Sequence, residues 1–353
     1  MSPTSIGAGF GALFICRARQ CWCSGIFNPS MSFASVQCPV DYRTSKRRDS
    51  SQFPSRTACQ FAELRYRLYP DYPHYPCPTF VNIRTPTHTL ETSEEAGVRF
   101  LHFGSEWVQG AMRIARPYSL ELEYTREMAA CLLLRPESDW PKRVLQVGLG
   151  AASLTKFWQR HRPLAKQTIV EINPAVVAMA EQSFKLPRAA ARDAASIDIV
   201  IDDGVAWMRG TGESVHKDKY DCIMVDGYDH NARFGALGTE AFYRDCRARL
   251  TRRGLLVLNL FGRAHGYRRQ IENLRAAFDD RVLALAPVEG GNAIAFAVHG
   301  DPVALAMPML RADAARLKTE TGITFTSTLV RIDQATAALA GRSAAKRGGA
   351  AML

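Results

Sequence analysis

The chain has 353 residues, 47% of them hydrophobic and 22% charged, with a formal net charge of +11. This length suits one large domain or two smaller ones, and the composition is that of an ordinary globular protein. No apolar run reaches the ~18 residues a membrane helix needs, so no membrane partner is expected. The Gly-rich segment from Ile6 to Ile15 is a poor secretory signal because no basic residue precedes it.

The charge is concentrated at the ends. Residues 1–78 hold nine Lys/Arg against four Asp/Glu, and 337–353 hold three against none. These ends read as solvated tails, with no specific nucleic-acid site. Six of the nine cysteines also fall in the first 77 residues, where Cys21-x-Cys23 lacks zinc-finger spacing. The eight histidines, His265 and His299 among them, are scattered, and no metal is expected. Cys131, Cys222 and Cys246 sit in apolar or amphipathic contexts and read as buried thiols. Nothing asks for an oxidising compartment, and a cytoplasmic location is expected.

Residues 1–78 show no sustained periodicity and read as a disordered or loosely ordered extension, with Met31 as an alternative start. Residues 79–136 read as a small β-rich domain plus a helix. Its best strand is Val98–Phe103 after a turn at Glu94–Gly97, with Val108–Ile114 as a partner and a helix over Leu120–Leu134. From 137 to 300 strands and helices alternate. Strands are predicted at Val144–Val147, Thr168–Ile172, Ile197–Ile201, Tyr220–Val225 and Leu255–Leu260, with helices at Leu154–His161, Pro174–Phe184, Val205–Arg209, Thr239–Leu250 and Tyr267–Phe278. Val282–Pro287 and Ala293–His299 close the series as a strand pair. Such alternation implies a doubly wound, mostly parallel α/β sheet. The closing antiparallel hairpin makes it the Rossmann-like fold of class I S-adenosylmethionine-dependent methyltransferases, here seven-stranded. Residues 301–353 read as one or two helices and a flexible basic tail, Gly/Ala-rich from 341 on.

Ligands of open parallel sheets bind beyond the carboxyl ends of the strands. Four consecutive strands here deliver a glycine turn or an acid to that edge: Gly148-Leu149-Gly150, then Glu171, then Asp202-Asp203-Gly204, then Asp226-Gly227-Tyr228-Asp229. Any one of these could be a tight turn or a helix N-cap, but four in register point to a site. Glu171 lies 21 residues after Gly150, the spacing at which a carboxylate accepts both hydroxyls of a ribose. Asp203 is placed to accept from an exocyclic adenine amine, and Gly204 lets the base approach. No Lys follows the glycine turn as in a phosphate loop, so a nucleoside bearing a sulfonium suits the edge better than a pyrophosphate. Asp226 and Asp229 lie beyond the adenine position and suit a cationic amine, one of them as general base. The missing third glycine, near Ser153, argues against a dehydrogenase.

The segments VLQVGLGAAS, VEIN, IDDG, VDGYD and EAFYRDCRARLTRRGLLVLNL resemble the spermidine/spermine synthase (polyamine aminopropyltransferase) family over roughly Val98 to Val298. The resemblance implies an aminopropyltransferase that joins the aminopropyl group of decarboxylated S-adenosylmethionine to an amine such as putrescine. It implies cofactor contacts at Gly148, Gly150, Glu171, Asp202, Asp203 and Gly204, Asp226 as catalytic base, and Tyr228 and Asp229 on the amine. It also implies a homodimer through the N-terminal strands. The chain departs from the family pattern at Ala151, which replaces the glycine-loop Asp that contacts the aminopropyl amine. Losing that contact costs ~1.5–3 kcal/mol, about ten- to a hundredfold in binding. The nearest counterparts of the family's substrate-facing Gln and Tyr are Arg113 and Tyr124. Two alternatives share the fold: a methyltransferase using S-adenosylmethionine itself, and a catalytically inactive nucleoside-binding relative.

Overall fold

The computed structural model describes residues 90–104, 108–187, 196–210, 218–227, 234–262, 266–288 and 291–346, the last six of these by backbone alone. Residues 1–78, Tyr228, Asp229 and His265 lie outside the described residues, and so do the expectations attached to them.

Strands β1 (Leu90–Glu95), β2 (Val98–Phe103) and β3 (Val108–Arg113) form an antiparallel sheet in the order β1-β2-β3. The pair Ala96-Gly97 makes the first turn, with Gly97 at φ 74°. The helix predicted over Leu120–Leu134 is two short helices, α1 (Glu123–Met128) and α2 (Cys131–Leu134). The break lies at Ala129-Ala130, where the ladder tightens to i→i+3 bonds: Ala130 N donates to Glu127 O at 2.9 Å and Leu132 N to Ala129 O at 3.1 Å. Such tight turns do not continue an α-helix.

The second sheet contains β4 (Arg143–Val147), β5 (Lys166–Glu171), β6 (Ile197–Ile201), β7 (Tyr220–Val225), β8 (Leu250–Phe261), β9 (Val282–Ala284) and β10 (Asn292–Val298). Their order is β6-β5-β4-β7-β8-β10-β9, with β10 antiparallel to both its neighbours and the other pairs parallel. This is the expected seven-stranded architecture, and the order reverses between β4 and β7. The strands are joined by α3 (Ser153–His161), α4 (Pro174–Ser183), α5 (Gly204–Arg209), α6 (Glu240–Ala248) and α7 (Tyr267–Ala277). Strand β8 begins five residues earlier than predicted because Leu250 already pairs with Tyr220, and a register shift carries the chain into the regular ladder. The turn-like composition of Thr251–Gly254 therefore marks a bulge.

Strands buried on both faces need apolar residues on both sides, and the central strands have them apart from Gln146 and Asn259. Val144, Cys222, Met224, Leu255 and Val257 pack on one side with α1, α2 and the C-terminal helices. Leu145, Val147, Ile223, Val225, Leu256 and Leu258 pack on the other with Trp207, Phe242 and Leu274. Cys131, Cys222 and Cys246 are buried free thiols, as expected. Trp158 and Trp207 are packing residues.

The C-terminal residues form α8 (Met307–Thr321) and α9 (Thr326–Lys346). Helix α9 runs six residues into the stretch expected to be flexible from 341 onward. Alanine, the best helix former, supports those six residues as helix. No helix among the described residues is long and apolar enough to cross a membrane. Arg331 of α9 pairs with Glu127 of α1, whose side chain is 2% exposed, and also reaches Ala286 O. Arg331→Met would strand the Glu127 charge inside the protein and is expected to cost about 3–5 kcal/mol in urea denaturation, whereas Glu127→Leu/Arg331→Met together should cost much less.

Lys156 on α3 is also buried, and its Nζ donates to Phe184 O at 2.7 Å. Burial lowers its pKa to about 7. The unfolded chain holds this proton up to its ordinary value of 10.5, so between those limits unfolding takes up a proton and stability rises with pH. Urea denaturation from pH 7 to 10 should show wild-type stability rising relative to Lys156→Met, by up to about 1.4 kcal/mol per pH unit.

Candidate active site at the strand ends

The reversal between β4 and β7 brings two chain ends together. Asp226 N donates to Val147 O at 2.9 Å, and Gly148 N donates to Val170 O at 2.9 Å. Gly148 has φ 92°, and a Cβ there would lie 2.2 Å from the carbonyl oxygen of Asp226. The first glycine of the turn is thus required by the closeness of β4 and β7, before any ligand is considered. Gln146, buried on β4, braces the same turn: its Nε2 donates to Gly148 O at 2.7 Å and its Oε1 accepts from Thr155 at 3.0 Å. Gly150, at φ 51°, faces the backbone carbonyl of Gln109 on β3.

Glu171 ends β5 and is 6% exposed. Its Oε2 accepts from Leu149 N at 2.8 Å and its Oε1 from Asn173 N at 2.9 Å, so one side chain ties the turns after β4 and β5 together. Burial pushes its carboxyl above the usual range, and the backbone donors Asn173, Leu149 and Ile172 pull it back. Each oxygen keeps a lone pair for a further donor.

Asp202 accepts from Asp203 N through its Oδ1 at 2.8 Å. Asp203 is the N-cap of α5, its Oδ1 accepting from Val205 N at 2.8 Å and Ala206 N at 2.9 Å. Both capping bonds fall on Oδ1, and no bond to Oδ2 is found among the described residues. At Gly204 a Cβ would meet Val147 Cγ1 at 2.5 Å, which lets α5 start against the end of β4.

Asp226, just past β7, is partly buried. Burial raises its pKa, while hydrogen bonds from Asn259 and Tyr124 lower it. Asn259 Nδ2 donates to Asp226 Oδ1 at 2.8 Å. Asp226 lines a cleft with Gln109, Tyr124, Gln146, Gly150 and Ala151. A second hollow opens between the N-termini of α6 and α7, lined by Thr239, Glu240, Arg269, Gln270 and Asn273. Among the described residues, none of the strand-end acids lines it.

The two residues sought in the segment before α2 separate. Tyr124 is in the cleft on Asp226. Arg113 is held at the end of β3 by a two-pronged ion pair with Glu121, its Nε donating to Oε2 at 3.0 Å. Ala151 belongs to an apolar group with Leu101, Met112 and Phe184, and β3 lies so close that a Cβ on Gly110 would be 2.7 Å from that of Ala151. Sequence reading passed over Gln146, Asn259 and Asn292. The available signal was Asn259, a lone amide inside the apolar strand LLVLNLF.

Residues 122–278 match the family model described as "Spermine/spermidine synthase domain". A polyamine aminopropyltransferase of Chromobacterium violaceum is 34% identical over 252 residues, covering 71% of this chain and 92% of the relative. The chain belongs to the spermidine/spermine synthase family. One from Neisseria meningitidis serogroup A is also 34% identical, over 66% of this chain and 84% of the relative. Among solved structures, a Corynebacterium glutamicum protein described as a probable spermidine synthase superposes with a TM-score of 0.52 at 19% identity, covering 75% of this chain and 86% of that one. It shares the fold. The family match runs from the start of α1 to the end of α7, and so spans Glu171, Asp203 and Asp226.

Gly148→Ala tests the closeness of β4 and β7. Positive φ alone costs about 1–3 kcal/mol, and the overlap with Asp226 O adds to it. Gly97→Ala, with φ 74° and nothing within 4 Å, supplies the φ contribution alone. Urea denaturation should show Gly148→Ala as the more destabilised of the two.

Proposed function

We propose that this family member transfers the aminopropyl group of decarboxylated S-adenosylmethionine to a small cationic amine such as putrescine, with Asp226 as the base. The observation that carries the reading is Asp226 itself: a desolvated carboxylate at the sheet's switch point, lining a cleft with neutral polar groups. Burial without a paired cation favours a carboxylate that takes up a proton readily. Membership of a family whose relatives are named polyamine aminopropyltransferases supports the same chemistry.

Glu171 accepts the two ribose hydroxyls with its remaining lone pairs, Asp203 Oδ2 accepts from the adenine amine, and the acid-rich edge attracts the sulfonium. Asp226 takes the proton of the attacking nitrogen. That nitrogen's lone pair forms the new bond to the carbon next to sulfur. The carbon–sulfur bond breaks with its electron pair moving to sulfur, and neutral methylthioadenosine leaves. Asp229 and Tyr228 join this reading from the sequence, as the second acid and the aromatic residue of the same loop. The amine enters where the Tyr124 hydroxyl now contacts Asp226. A homodimer completes the reading, supported by the exposed edge strand β1. A cytoplasmic location is supported by the free buried thiols.

Ala151 favours one second reading, methyl transfer from S-adenosylmethionine, because an acid at that position would repel the donor's carboxylate and this chain has none there. Calorimetric titration with decarboxylated S-adenosylmethionine, S-adenosylmethionine and methylthioadenosine, followed by product analysis with putrescine, separates the two. Tighter binding of the carboxylated donor would overturn aminopropyl transfer.

Asp226→Asn should reduce turnover by about 10²–10⁴-fold while leaving methylthioadenosine affinity within a factor of about two. A base works deprotonated, so wild-type kcat/KM should fall as pH drops through the Asp226 carboxyl. Burial places that limb above the ordinary ~3.9 of aspartate. A wild-type rate in Asp226→Asn would remove it as the base.

A further inference from the structure

The base is held from behind by two amides. Asn259 is 2% exposed and stands on β8 one step beyond the last β7–β8 pair, Val225 with Leu258, which sets it beside Asp226. Its Nδ2 donates to Asp226 Oδ1 at 2.8 Å. Its Oδ1 accepts from Asn292 Nδ2 at 3.0 Å. In the antiparallel β8–β10 ladder Asn292 is opposite Phe261 and Ile294 opposite Asn259. Asn292 and Asn259 are therefore diagonal neighbours on one face of the sheet.

A buried amide can turn over, and the two orientations have opposite consequences. With Nδ2 toward Asp226, Asn259 stabilises the carboxylate; turned, it would set Oδ1 against the carboxylate oxygen and favour the protonated acid. Asn292 offers a donor to Asn259 Oδ1 and so selects the first orientation. We propose that Asn292 is a positioning residue of the reaction, acting through Asn259 to fix which atom is presented to Asp226. Asn292 lies outside the 122–278 family match. The inference rests on the reading of Asp226 as base only for its consequence in turnover.

Among the described residues, the other polar groups around Asp226 come from α1, β3, β4 and β8, with Gln109 of β3 lining the cleft. Tyr124 on α1 bonds it, Gln146 and the glycine turn of β4 line the cleft, and Asn259 comes from β8. Among the described residues no ion pair involves Asp226.

The test uses the full chain and two neutral variants, Asn292→Leu and Asn292→Ala, each of which removes the donor without adding charge near Asp226. Circular dichroism melting establishes that each is folded. The titration of Asp226 is followed by infrared difference spectroscopy against Asp226→Asn, a readout that needs no turnover. Both variants should move the Asp226 titration to higher pH, by about one to two units where Asn259 turns over completely. The acidic limb of kcat/KM with putrescine should follow, and methylthioadenosine affinity should stay unchanged. An unmoved Asp226 titration in whichever variant folds would overturn the inference. A moved titration with an unmoved kcat/KM limb would keep the relay and instead remove Asp226 as the base.

Discussion

The site depends on one steric constraint, the approach of the end of β4 to the start of the loop after β7. Gly148 lies so close to the Asp226 carbonyl that any side chain there would overlap it. That contact sets the depth at which Asp226 leaves the sheet. It also sets the turn through which Leu149 N reaches Glu171. The reversal of strand order opens a crevice at this point, and the glycine keeps the two walls of the crevice in register.

The two acids inside the crevice are held by neutral donors. Glu171 accepts from backbone N–H groups and Asp226 from an amide and a phenol. Neither has an ion pair among the described residues. Neutral donors orient a carboxylate and offset part of the rise that burial gives its pKa, without cancelling its field. A lysine in either place would give a more stable carboxylate whose field is cancelled.

The C-terminal helices join the site through α1. Arg331 reaches from α9 to Glu127 and to Ala286 O, and Tyr124 lies one turn earlier on the same short helix. With only six residues in α1, its position comes from packing and from this buried pair more than from its own helical stability. The segment that places Tyr124 on Asp226 is thus fixed by a helix some 200 residues away in sequence, in a C-terminal region that the sequence marks as helical but does not connect to α1.

The sequence by itself determined the doubly wound sheet, because the strand and helix periodicities between Arg143 and Val298 are strong and local. It also determined the edge on which Glu171, Asp203 and Asp226 stand, because a parallel sheet sends every strand end to the same side. Tertiary structure decided what each of these residues does there. Only the fold shows that Asp203 spends one oxygen on a helix cap and that Gly148 answers to Asp226. The fold also pairs Arg113 with Glu121 and sets Tyr124 on Asp226. Asn292 and Asn259 are 33 residues apart and meet only because β10 runs antiparallel beside β8. Periodicity records which face of an element is buried. It does not record which atom of a distant strand lies at hydrogen-bond distance, and that distance decides the chemistry of this cleft.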